Sequence, residues 1–477
     1  MSKLAERPAR CRPSTGRTNM SQAPKKSWCV VGGGMLGLTL ALRLAEAGHR
    51  VTVVEAAPRL GGLADAWQIG DVTWDRHYHV ILQQDRHLTG LLAELGLSDK
   101  LVWSETRSDF YTDKTFYPLN NSIDFLRFPP LGLIDKFRLG ATILYASRLK
   151  DGLRLEDIKL EDWLVALSGR RTFERIWRPL VRAKLGDNYH RASASYIWNV
   201  IRRFYGARQT GAQKKELFGY VQGGYETIIA RLVERLQGLG VVLETGTPVT
   251  RIAAGAPDAV EVATTVSDRS FDRVVVTSAS SLACRICEGL DTQERARHAG
   301  IIYQGIVCAS VLLERPLRNA YITYIADEEI PYTAVIEMTA IVDKAQFGGR
   351  SLVYLPAYVP SDSPLFELTD AEIEARFMAA LRGMYPDLAP TEIEAFKVSR
   401  ARQVLSITTI GYSRGLPPMQ TAVPGLFIVN SAHIVNAALN VNDTIKLAES
   451  ALPLLQSELQ SSAPARPAGS THAMAAE

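Results

Sequence analysis

Two short apolar segments near the start of the chain flank a stretch with helical periodicity. Val30 and Val31 belong to the first segment, and residues 51–54 form the second. Such short runs of β-branched residues are typical of buried strands. Between them, a glycine-rich turn precedes a segment in which leucine and alanine recur at helical spacing. The pattern predicts a strand, a helix and a second strand, arranged as a βαβ unit.

The rest of the chain changes between helical and strand-like patterns. Residues 67–213 have a mainly helical pattern that is rich in Trp, Phe and Arg, and the apolar stretch 300–313 is expected to form a buried strand pair. The other expected elements are helices at 225–239, at 370–383 and after Asn442, and strands at 241–245, 249–252, 273–278, 352–357 and 424–430.

Length and composition fit an enzyme with two domains. The chain has 477 residues, which is too long for one compact core, and its 47% hydrophobic and 22% charged residues are ordinary for a soluble globular protein. No apolar stretch reaches the roughly 18–20 residues of a membrane span. Five cysteines without regular spacing indicate reduced thiols. We therefore expect a cytoplasmic location and leave a peripheral membrane contact open.

The two ends of the chain differ from the middle. The head, residues 1–27, is basic, has no apolar segment of a signal peptide, and is expected to be disordered. The tail, residues 461–477, is rich in Ala, Pro and Ser and is also expected to be disordered. Met20 is an alternative to Met1 as the natural start, because it places the first strand close to the N-terminus. The net charge of +4 is partly a property of this head.

The glycines of the first turn carry the clearest chemistry. Gly32, Gly34 and Gly37 stand in GxGxxG register after the first strand, and Glu55 ends the second strand. In this arrangement the free N–H groups and the dipole of the helix N-terminus bind the diphosphate of a dinucleotide. The glutamate accepts the ribose hydroxyls and disfavours a 2′-phosphate. The motif therefore predicts a dinucleotide site at which NADP is not expected.

The residues after Glu55 resemble those of a known family. The string EAAPRLGG, residues 55–62, resembles the ExxxRxGG motif of the FAD-binding superfamily of amine oxidases, protoporphyrinogen oxidases and phytoene desaturases. In that family the arginine helps to hold the diphosphate, and the paired glycines let the chain pass close to the flavin. The FAD contacts that the resemblance implies in this region are Gly32, Gly34, Met35, Leu36, Gly37, Glu55, Ala56, Arg59, Gly61, Gly62 and Leu63.

A second part of the resemblance lies near the C-terminus. Residues 425–452 resemble the strand, loop and helix with which the same superfamily ends, where the helix N-terminus points at the flavin pyrimidine. Asn442, Asp443 and Thr444 are the cofactor contacts expected here. Asn442 or Asp443 is expected to be the N-cap, and the N–H groups that follow can stabilise negative charge on the reduced flavin. The resemblance also implies that Asn430 contacts the ribityl chain or the phosphate. Here the chain departs from the family, which usually has Gly-Asp or Gly-Asn at this point.

The resemblance implies an α/β fold. It consists of a Rossmann-like FAD-binding domain of the GR2 type with an interleaved α+β substrate domain. The backbone at Val249 is implied to face the adenine, and FAD is expected to be bound non-covalently, because the C-terminal flavin loop contains no cysteine. The expected FAD-binding domain comprises 28–66, 216–299 and 400–456, and the expected substrate domain comprises 67–215 and 300–399.

His77 and His79 are the candidates for catalytic residues. They lie in the string 73–79, which resembles the D-x-G-x-H strand that related flavoproteins place beside the isoalloxazine. Two residues apart on a strand, both rings point to one face. They either position the substrate or relay protons beside the flavin, or they are structural histidines. Together with Asp75 they could mimic metal ligands, but no further His or Cys cluster appears, so no metal is expected.

Four arginines are candidates for contacts with the substrate: Arg171, Arg175, Arg178 and Arg182. Their spacing predicts one helix face, which is either a solvated basic face or a surface for an anionic substrate or a lipid headgroup. Nucleic acid is not an expected partner, since no binding module accompanies the patch. The apolar stretch 125–134 is expected to form a wall of a buried substrate pocket, although membrane-associated members of the superfamily insert an apolar stretch of this domain into the bilayer.

The expected function is that of an FAD-dependent oxidoreductase. It accepts a hydride from an amphipathic small molecule onto flavin N5, with an electron acceptor that the sequence does not identify. One alternative is a flavin-dependent isomerase without net redox chemistry, similar to the UDP-sugar mutases. The other is a non-catalytic FAD-binding protein.

Overall fold

The structure is a computed structural model that describes residues 25–120, 122–209, 217–435 and 439–457. Most of the predicted head, the choice between Met1 and Met20, and the predicted tail lie outside the described residues. The strands are β1 (Ser27–Val31), β2 (Arg50–Val54), β3 (Ala66–Ile69), β4 (Val72–Asp75), β5 (Ile81–Leu82), β6 (Leu101–Glu105), β7 (Ser108–Thr112), β8 (Thr115–Pro118), β9 (Leu217–Val221), β10 (Val242–Glu244), β11 (Val249–Ala254), β12 (Val260–Thr264), β13 (Asp268–Phe271), β14 (Arg273–Val276), β15 (Tyr303–Leu313), β16 (Ile322–Ile325), β17 (Ala334–Glu337), β18 (Ser351–Pro360), β19 (Ile393–Ser406) and β20 (Leu426–Ile428).

The helices alternate with these strands, and a π-helical segment, Phe173–Trp177, joins two of them. The α-helices are α1 (Met35–Glu46), α2 (Arg86–Glu94), α3 (Ser122–Arg127), α4 (Leu133–Arg148), α5 (Leu160–Ser168), α6 (Arg170–Thr172), α7 (Arg178–Leu185), α8 (Ala194–Gln209), α9 (Gly224–Gly238), α10 (Ser280–Ile286), α11 (Thr292–Ala299), α12 (Asp370–Met384), α13 (Tyr412–Gly415) and α14 (Val441–Gln456).

A five-stranded parallel sheet with the order β10-β2-β1-β14-β20 forms the Rossmann-like layer. Helices α1, α9 and α14 pack on one face through buried aliphatic side chains such as Leu38, Leu232 and Ile445. The antiparallel strands β11, β12 and β13 and helix α10 pack on the other face. Strands covered on both faces are apolar throughout, which explains the uninterrupted valines of β1 and β2. The predicted Rossmann-like α/β fold is confirmed.

A second, mixed sheet has seven strands in the order β19-β15-β18-β17-β16-β7-β8. Strand β15, the second strand from one edge, is buried along all eleven residues. Alternate side chains of β15 point to opposite faces. One face packs against α12, with Val307 beside Phe377 in one apolar cluster, and the other packs against the helices between residues 160 and 201. The second face contains Ile306, Cys308 and Tyr358 and is called the inner face below.

The topology changes two of the expected domain boundaries. The expected boundary at residue 400 falls inside β19, which runs to Ser406 as one strand of the seven-stranded sheet. Helix α2 was expected in the substrate domain, but Leu88 and Leu91 pack in the core of α1, α9 and α14. Both boundaries were expected from local sequence patterns and from the resemblance, whereas the strand pairing and the core contacts are long-range.

Most of the isolated elements agree with their predictions, and two expectations are wrong. Helices α9 and α12 match the predicted ranges to within one residue at each end. The segment 67–213 is mainly helical only from residue 122, because short strands flank helix α2 in its first part. The stretch 300–313 is a single strand, β15, and not a strand pair. Both errors concern apolar runs, for which hydrophobicity alone does not distinguish helix, strand and strand pair.

Helix α4 presents apolar side chains to solvent, so the predicted pocket wall at 125–134 is wrong in part. Phe128 and Leu131 are buried, but Leu133 and Ile134 are 79% and 77% exposed, and Phe137 one turn later is 79% exposed. None of the described helices combines the length and the apolarity required to cross a bilayer.

Candidate cofactor and substrate site

The turn between β1 and α1 has room only for glycine at two positions. Gly32 has a φ of +111°, and a Cβ at this position would lie 2.4 Å from Oγ1 of Thr277. A Cβ at Gly37 would lie 1.9 Å from the carbonyl oxygen of Gly32. Helix α1 follows directly, with no side-chain cap and no acidic residue in its first turn. The first N–H groups of the helix, which include those of Met35 and Leu36, are therefore available to an anion.

The predicted second glycine pair lies against this turn. The N–H of Gly61 donates to the carbonyl oxygen of Gly33 at 2.8 Å, and Gly34 and Gly61 form a parallel bridge. A Cβ at Gly62, which has a φ of +59°, would lie 3.1 Å from Cα of Gly34. The two glycine segments thus form a cradle of bare backbone that side chains would fill. Such a cradle fits the diphosphate of a dinucleotide.

Glu55 follows β2 and faces the cradle. Its carboxylate accepts from the N–H of Gly33 at 2.6 Å and from the N–H of Ala57 at 2.7 Å. Ala56 lies between Glu55 and Ala57 in the same turn. The carbonyl oxygen of Glu55 accepts from the N–H of Thr247, two residues before Val249. The structure therefore brings Glu55, Ala56 and the start of β11 together at one end of the cradle.

The side chain of Arg59 is bound to two carboxylates. Its Nε donates to Asp65 at 2.9 Å, and its Nη2 donates to Glu226 at 3.0 Å. These hydrogen bonds raise the pKa of the guanidinium. Asp65 also pairs with Arg76 at 2.7 Å. Arg59 therefore ties the loop after β2 to helix α9. Its direct contact with the diphosphate stays a prediction.

Asn430 lies at the end of β20 and is fully buried. Its Oδ1 accepts from the N–H of Ala432 at 3.0 Å, and its Nδ2 donates to the carbonyl oxygen of Ser278 at 3.0 Å. The side chain thus fixes the loop after β20 to the end of β14. Residues 436–438 of this loop lie outside the described residues.

The N-cap of α14 is Asn440, so the expectation of Asn442 or Asp443 is wrong. Asn440 has extended backbone angles, and its Oδ1 accepts from the N–H of Asp443 at 2.9 Å. Thr444 donates from Oγ1 to the carbonyl oxygen of Asn440. Asn442 and Asp443 lie inside the helix, after the N-cap position. Asp443 accepts from Nδ2 of Asn440, and both side chains also contact neighbouring helices.

Asn442 and Asp443 connect α14 to neighbouring helices. Oδ1 of Asn442 accepts from the N–H groups of His87 at 2.9 Å and Leu88 at 3.2 Å, at the start of α2. Asp443 lies 3.3 Å from a guanidinium nitrogen of Arg203 in α8. The first turn of α14 is therefore held from two sides.

His77 links the cradle to the inner face of the seven-stranded sheet. Its Nδ1 lies 3.2 Å from the carbonyl oxygen of Leu63, and its Nε2 lies 3.1 Å from Oγ of Ser399 on β19. Burial and the neighbouring His79 lower the pKa of His77 to about 3, so the ring is neutral at neutral pH. Because the Leu63 carbonyl only accepts, Nδ1 carries the proton, and Nε2 accepts from the Ser399 hydroxyl.

His79 has different surroundings from His77. Strand β4 ends at Asp75, so the two histidines lie in an irregular loop, and the expectation of one shared strand face is wrong. Nδ1 of His79 lies 3.6 Å from Asp75, and its ring centroid lies 4.6 Å from that of Tyr225. Asp75 also accepts from the N–H of Tyr225 at 2.8 Å. The structure brings both histidines to the domain junction without bringing them into contact with the same groups.

The four predicted arginines do not act as one helix face. The π-helical segment separates Arg171 from Arg178 and Arg182 and changes the register between them. Each guanidinium lies within 4 Å of a carboxylate. The pairs are Arg171 with Asp135, Arg175 with Asp113, Arg178 with Glu328, and Arg182 with Glu328 and Asp187.

The structure adds two residues that the sequence prediction left out. Nζ of Lys184, on α7, lies between the hydroxyl groups of Tyr78 and Tyr358, and Tyr358 belongs to the inner face. Lys184 is spaced seven residues after Trp177 and three after Val181, both buried, so a cation on the apolar side of a helix was the available signal. Tyr358 gave no local signal, because its role depends on sheet pairing.

The described residues offer no cluster for a metal ion, since no three His, Cys, Asp or Glu side chains among them are grouped suitably. The described cysteines are free thiols, and burial raises the pKa of Cys287 to about 12.

Comparison with known proteins agrees with this geometry. Residues 36–442 match the family model described as flavin containing amine oxidoreductase, which covers most of the chain. The chain belongs to this family. The cofactor of this flavin-containing amine oxidoreductase is FAD, and the residues of the cradle fit it.

Individual members of the family are only distantly similar to this chain in sequence. Coproporphyrinogen III oxidase of Mycobacterium tuberculosis (strain ATCC 25618 / H37Rv) is 29% identical over 231 residues, which cover 44% of this chain and 51% of that protein. The chain thus spans about half the length of the first curated relatives it matches.

Two solved structures have the same fold as this chain. An oxidoreductase from Methanosarcina mazei has a TM-score of 0.70 at 17% identity, covering 90% of this chain and 100% of that one. A CLA-producing fatty acid isomerase from P. acnes has a TM-score of 0.67 at 14% identity, covering 90% and 98%. Because an oxidoreductase and an isomerase both have this fold, the fold alone does not decide the net reaction.

Proposed function

We propose that the protein is an FAD-dependent oxidoreductase that takes a hydride from an amphipathic small molecule. FAD, when bound, supplies the hydride acceptor at N5. The observation that carries the proposal is the junction between the cradle and the inner face. His77 bonds to Leu63 beside the cradle and to Ser399 on the sheet, and Tyr354 donates from its hydroxyl to the carbonyl oxygen of Asp75. This junction supports a substrate site directly beside the cofactor site.

Each group of the cradle has a defined task in this proposal. The N–H groups at the start of α1 bind the diphosphate, with the bare backbone of Gly34 and Gly62 allowing close approach. The Glu55 carboxylate has lone pairs left for the ribose hydroxyls beside its two N–H partners. Asn430 and Asn440 hold the loop and helix that complete the site.

The inner face supports a substrate with an apolar body. Ile306, Cys308 and Tyr358 of the sheet face Tyr196 and Ile197 of helix α8 in one apolar cluster. Aromatic side chains with hydroxyl groups combine a large apolar surface with a polar end. These side chains are buried against each other, so water is excluded around them and a substrate beside them meets an apolar wall. We propose an apolar molecule that carries an anionic group.

The test of this function is anaerobic reduction of the flavin. Coproporphyrinogen III, which the name of the Mycobacterium tuberculosis relative specifies, is a suitable first candidate because it combines an apolar macrocycle with carboxylates. We expect it, or another amphipathic carboxylate, to bleach the flavin absorption without oxygen, and oxygen or another acceptor to restore it. Rearranged substrate without consumption of an acceptor would instead show a redox-neutral isomerase. Bound FAD that no candidate reduces or perturbs would point to a non-catalytic binding protein.

We also propose that helix α4 contacts a membrane surface. Its exposed side chains at i, i+1, i+4, i+11 and i+12 form one apolar side, and they are Leu133, Ile134, Phe137, Leu144 and Tyr145. Arg127 before this helix and Arg148 at its end are exposed cations. An apolar helix side flanked by cations favours an anionic lipid surface, in which the helix lies parallel to the interface.

Vesicle flotation tests this contact. With vesicles of phosphatidylglycerol and phosphatidylcholine, we expect the wild type to float and the triple variant L133S/I134S/F137S to stay at the bottom of the gradient. Val266→Ser is the matched control, because Val266 is an exposed apolar residue on a distant hairpin, 76% exposed. Equal flotation of all three proteins contradicts the proposal, and so does a dimer of the wild type that the triple variant converts to a monomer.

A further inference from the structure

Lys184 holds its ammonium group between two tyrosines. Nζ donates to the hydroxyl oxygen of Tyr78 at 2.5 Å and to that of Tyr358 at 2.8 Å. It also lies 4.6 and 4.7 Å from the centroids of the two rings. Tyr78 stands between His77 and His79 in the loop at the domain junction, and Tyr358 stands on the inner face. The ammonium group of Lys184 is thus fixed where the cofactor cradle meets the inner face of the seven-stranded sheet.

No carboxylate among the described residues lies within ion-pair distance of Lys184. The four arginines of the same helical region, between residues 171 and 182, are each within 4 Å of a carboxylate. Lys184 is half-buried, and cations that are withdrawn from water are normally paired. Phenol oxygens and ring faces solvate the ammonium but carry no charge that neutralises it.

Tyr78 and Cys308, two titratable groups near Lys184, stay protonated and uncharged at neutral pH. Burial raises the pKa of Tyr78 well above its usual value, so its hydroxyl keeps the proton. Burial also raises the pKa of the Cys308 thiol to about 12, although the nearby Lys184 acts in the opposite direction. The described groups that contact Lys184 therefore supply no negative charge.

Counting donors shows what the cluster can bind. An ammonium group has three N–H donors, and two of them point to the phenol oxygens. The two phenol oxygens are 3.3 Å apart, so one hydroxyl donates to the other. One N–H of Lys184 and one phenol O–H are left without an acceptor among the described residues. Two adjacent donors and one positive charge match the two oxygens of a carboxylate.

Two further observations concern the surroundings of the cluster. Tyr358 also lines a neighbouring cleft of about 140 Å³, whose walls include Asp187 and Glu328 but not Lys184. Gln304 lies in the next row of the inner face and is fully buried, and its Nε2 has no partner among the described residues. An unsatisfied amide donor in a buried position is costly unless something accepts from it. The inner face thus offers one additional donor near the cluster.

We propose that Lys184, together with Tyr78 and Tyr358, binds a carboxylate of the substrate. This inference rests on the proposed function and deepens it, because it assigns the anionic end of the amphipathic substrate to one site. The substrate class is then an apolar carboxylic acid whose carboxylate points to the inner face. The surface arginines, with their own carboxylate partners, are not needed for this contact.

Binding of a simple probe tests the assignment without knowledge of the true substrate. Decanoate and its neutral analogue decanamide are titrated by calorimetry into the FAD-loaded protein. We expect wild type to bind decanoate at least about tenfold more tightly than decanamide, as a charge-assisted contact requires. Lys184→Met is expected to abolish this preference, and Lys184→Arg to keep it. Lys100→Met, which removes an exposed lysine elsewhere, is the matched control and is expected to behave as wild type.

The outcomes separate this assignment from the proposed function. Unchanged preference for decanoate in Lys184→Met, or no preference in wild type, overturns the assignment even if the flavin is reduced by a substrate. A Lys184-dependent preference in a protein that no candidate reduces upholds the site and contradicts the oxidoreductase. Should Lys184→Met lose FAD or fail to fold, Tyr358→Phe replaces it: it removes one hydroxyl and is expected to weaken decanoate binding severalfold while leaving decanamide binding unchanged. Equal effects on both probes contradict the assignment.

Discussion

The cofactor cradle depends on single atoms that glycine lacks. At Gly37 the obstacle to a larger residue is the carbonyl oxygen of Gly32, which is backbone and cannot move aside. At Gly32 both the positive φ and the contact with Thr277 exclude a side chain. The glycines were therefore predictable from spacing alone, because each answers a local steric requirement.

Gly37→Ala is expected to lower both stability and FAD content. The added Cβ forces α1 away from the turn, and such overpacking costs about 1–3 kcal/mol. The free energy of unfolding by urea and the ratio of FAD to protein after purification measure the two effects. Gly90→Ala is the matched control, since Gly90 lies in helix α2 with no atom near its added Cβ, and it is expected to be neutral or slightly stabilising. Full FAD content in Gly37→Ala would contradict the geometry of the cradle.

His77 makes stability depend on pH. Its pKa is lowered to about 3 in the folded protein, whereas an unfolded histidine titrates at about 6.5. The unfolded chain therefore binds the proton first as the pH falls. The contribution of His77 is complete above about pH 6.5 and decreases by about 1.4 kcal/mol per pH unit below it, until the folded pKa is reached.

His77→Gln is expected to flatten this acid dependence. Urea unfolding at about pH 7.5 and about pH 4.5 gives the change in the free energy of unfolding. We expect the change to be smaller in His77→Gln than in wild type. His190→Gln, at an exposed position, serves as the control and is expected to keep the wild-type change. If His77→Gln and wild type lose equal stability between the two pH values, the ring is not held neutral as described.

Other residue roles could not be read from the sequence, because their partners are far away in the chain. His77 and Ser399 are 322 residues apart, and Lys184 and Tyr358 are 174 apart. The string around His77 indicated this loop as a candidate, although not the separate surroundings of the two histidines. Lys184 had a local signal in its position on the apolar side of α7, whereas Tyr358 had none.

At the scale of elements, the start of α14 shows how a helix end is fixed by one side chain and connected by others. Asn440 caps the helix itself, and Asn442 accepts from the first N–H groups of α2. Three asparagine and aspartate residues within four positions are all plausible caps in sequence. Only the backbone angles decide among them, and these depend on how the preceding loop packs.

Asn440→Ala is expected to reduce the free energy of unfolding by about 1 kcal/mol, the usual effect of losing a cap. It should also weaken FAD binding, since the first turn of α14 becomes less ordered. Thermal unfolding and FAD titration of the apoprotein measure these effects. Ser450→Ala, within the same helix, removes only a hydroxyl that bonds to the preceding turn and serves as the control. An Asn440→Ala protein as stable as Ser450→Ala would refute the assignment of the cap.

Elements with a clear period were predicted well, and purely apolar or mixed runs were not. Helices α9 and α12 are amphipathic, so their period follows from one buried side. Strand β15 is buried on both faces and has no alternation from which its single-strand nature could be inferred. The π-helical segment 173–177 inserts an extra residue into a helical turn, which no spacing rule anticipates. It is the reason that four regularly spaced arginines do not share one face.

At the scale of the whole molecule, the site lies between segments that are distant in the chain. The five-stranded sheet takes its strands from residues 27–54, 242–276 and 426–428, and the seven-stranded sheet is inserted between them. The family resemblance identified this interleaved plan, while composition did not locate its boundaries. The inner face, which the substrate is proposed to contact, exists only because β15, β18 and β19 pair across the chain.

The visible absorption spectrum of the protein purified without added cofactor tests the central claim most directly. If the glycine cradle holds FAD non-covalently, the spectrum has flavin bands at roughly 375 and 450 nm, and heat denaturation releases FAD into the supernatant. A colourless protein that binds NAD in place of FAD would contradict the account. So would flavin that stays attached to the denatured chain.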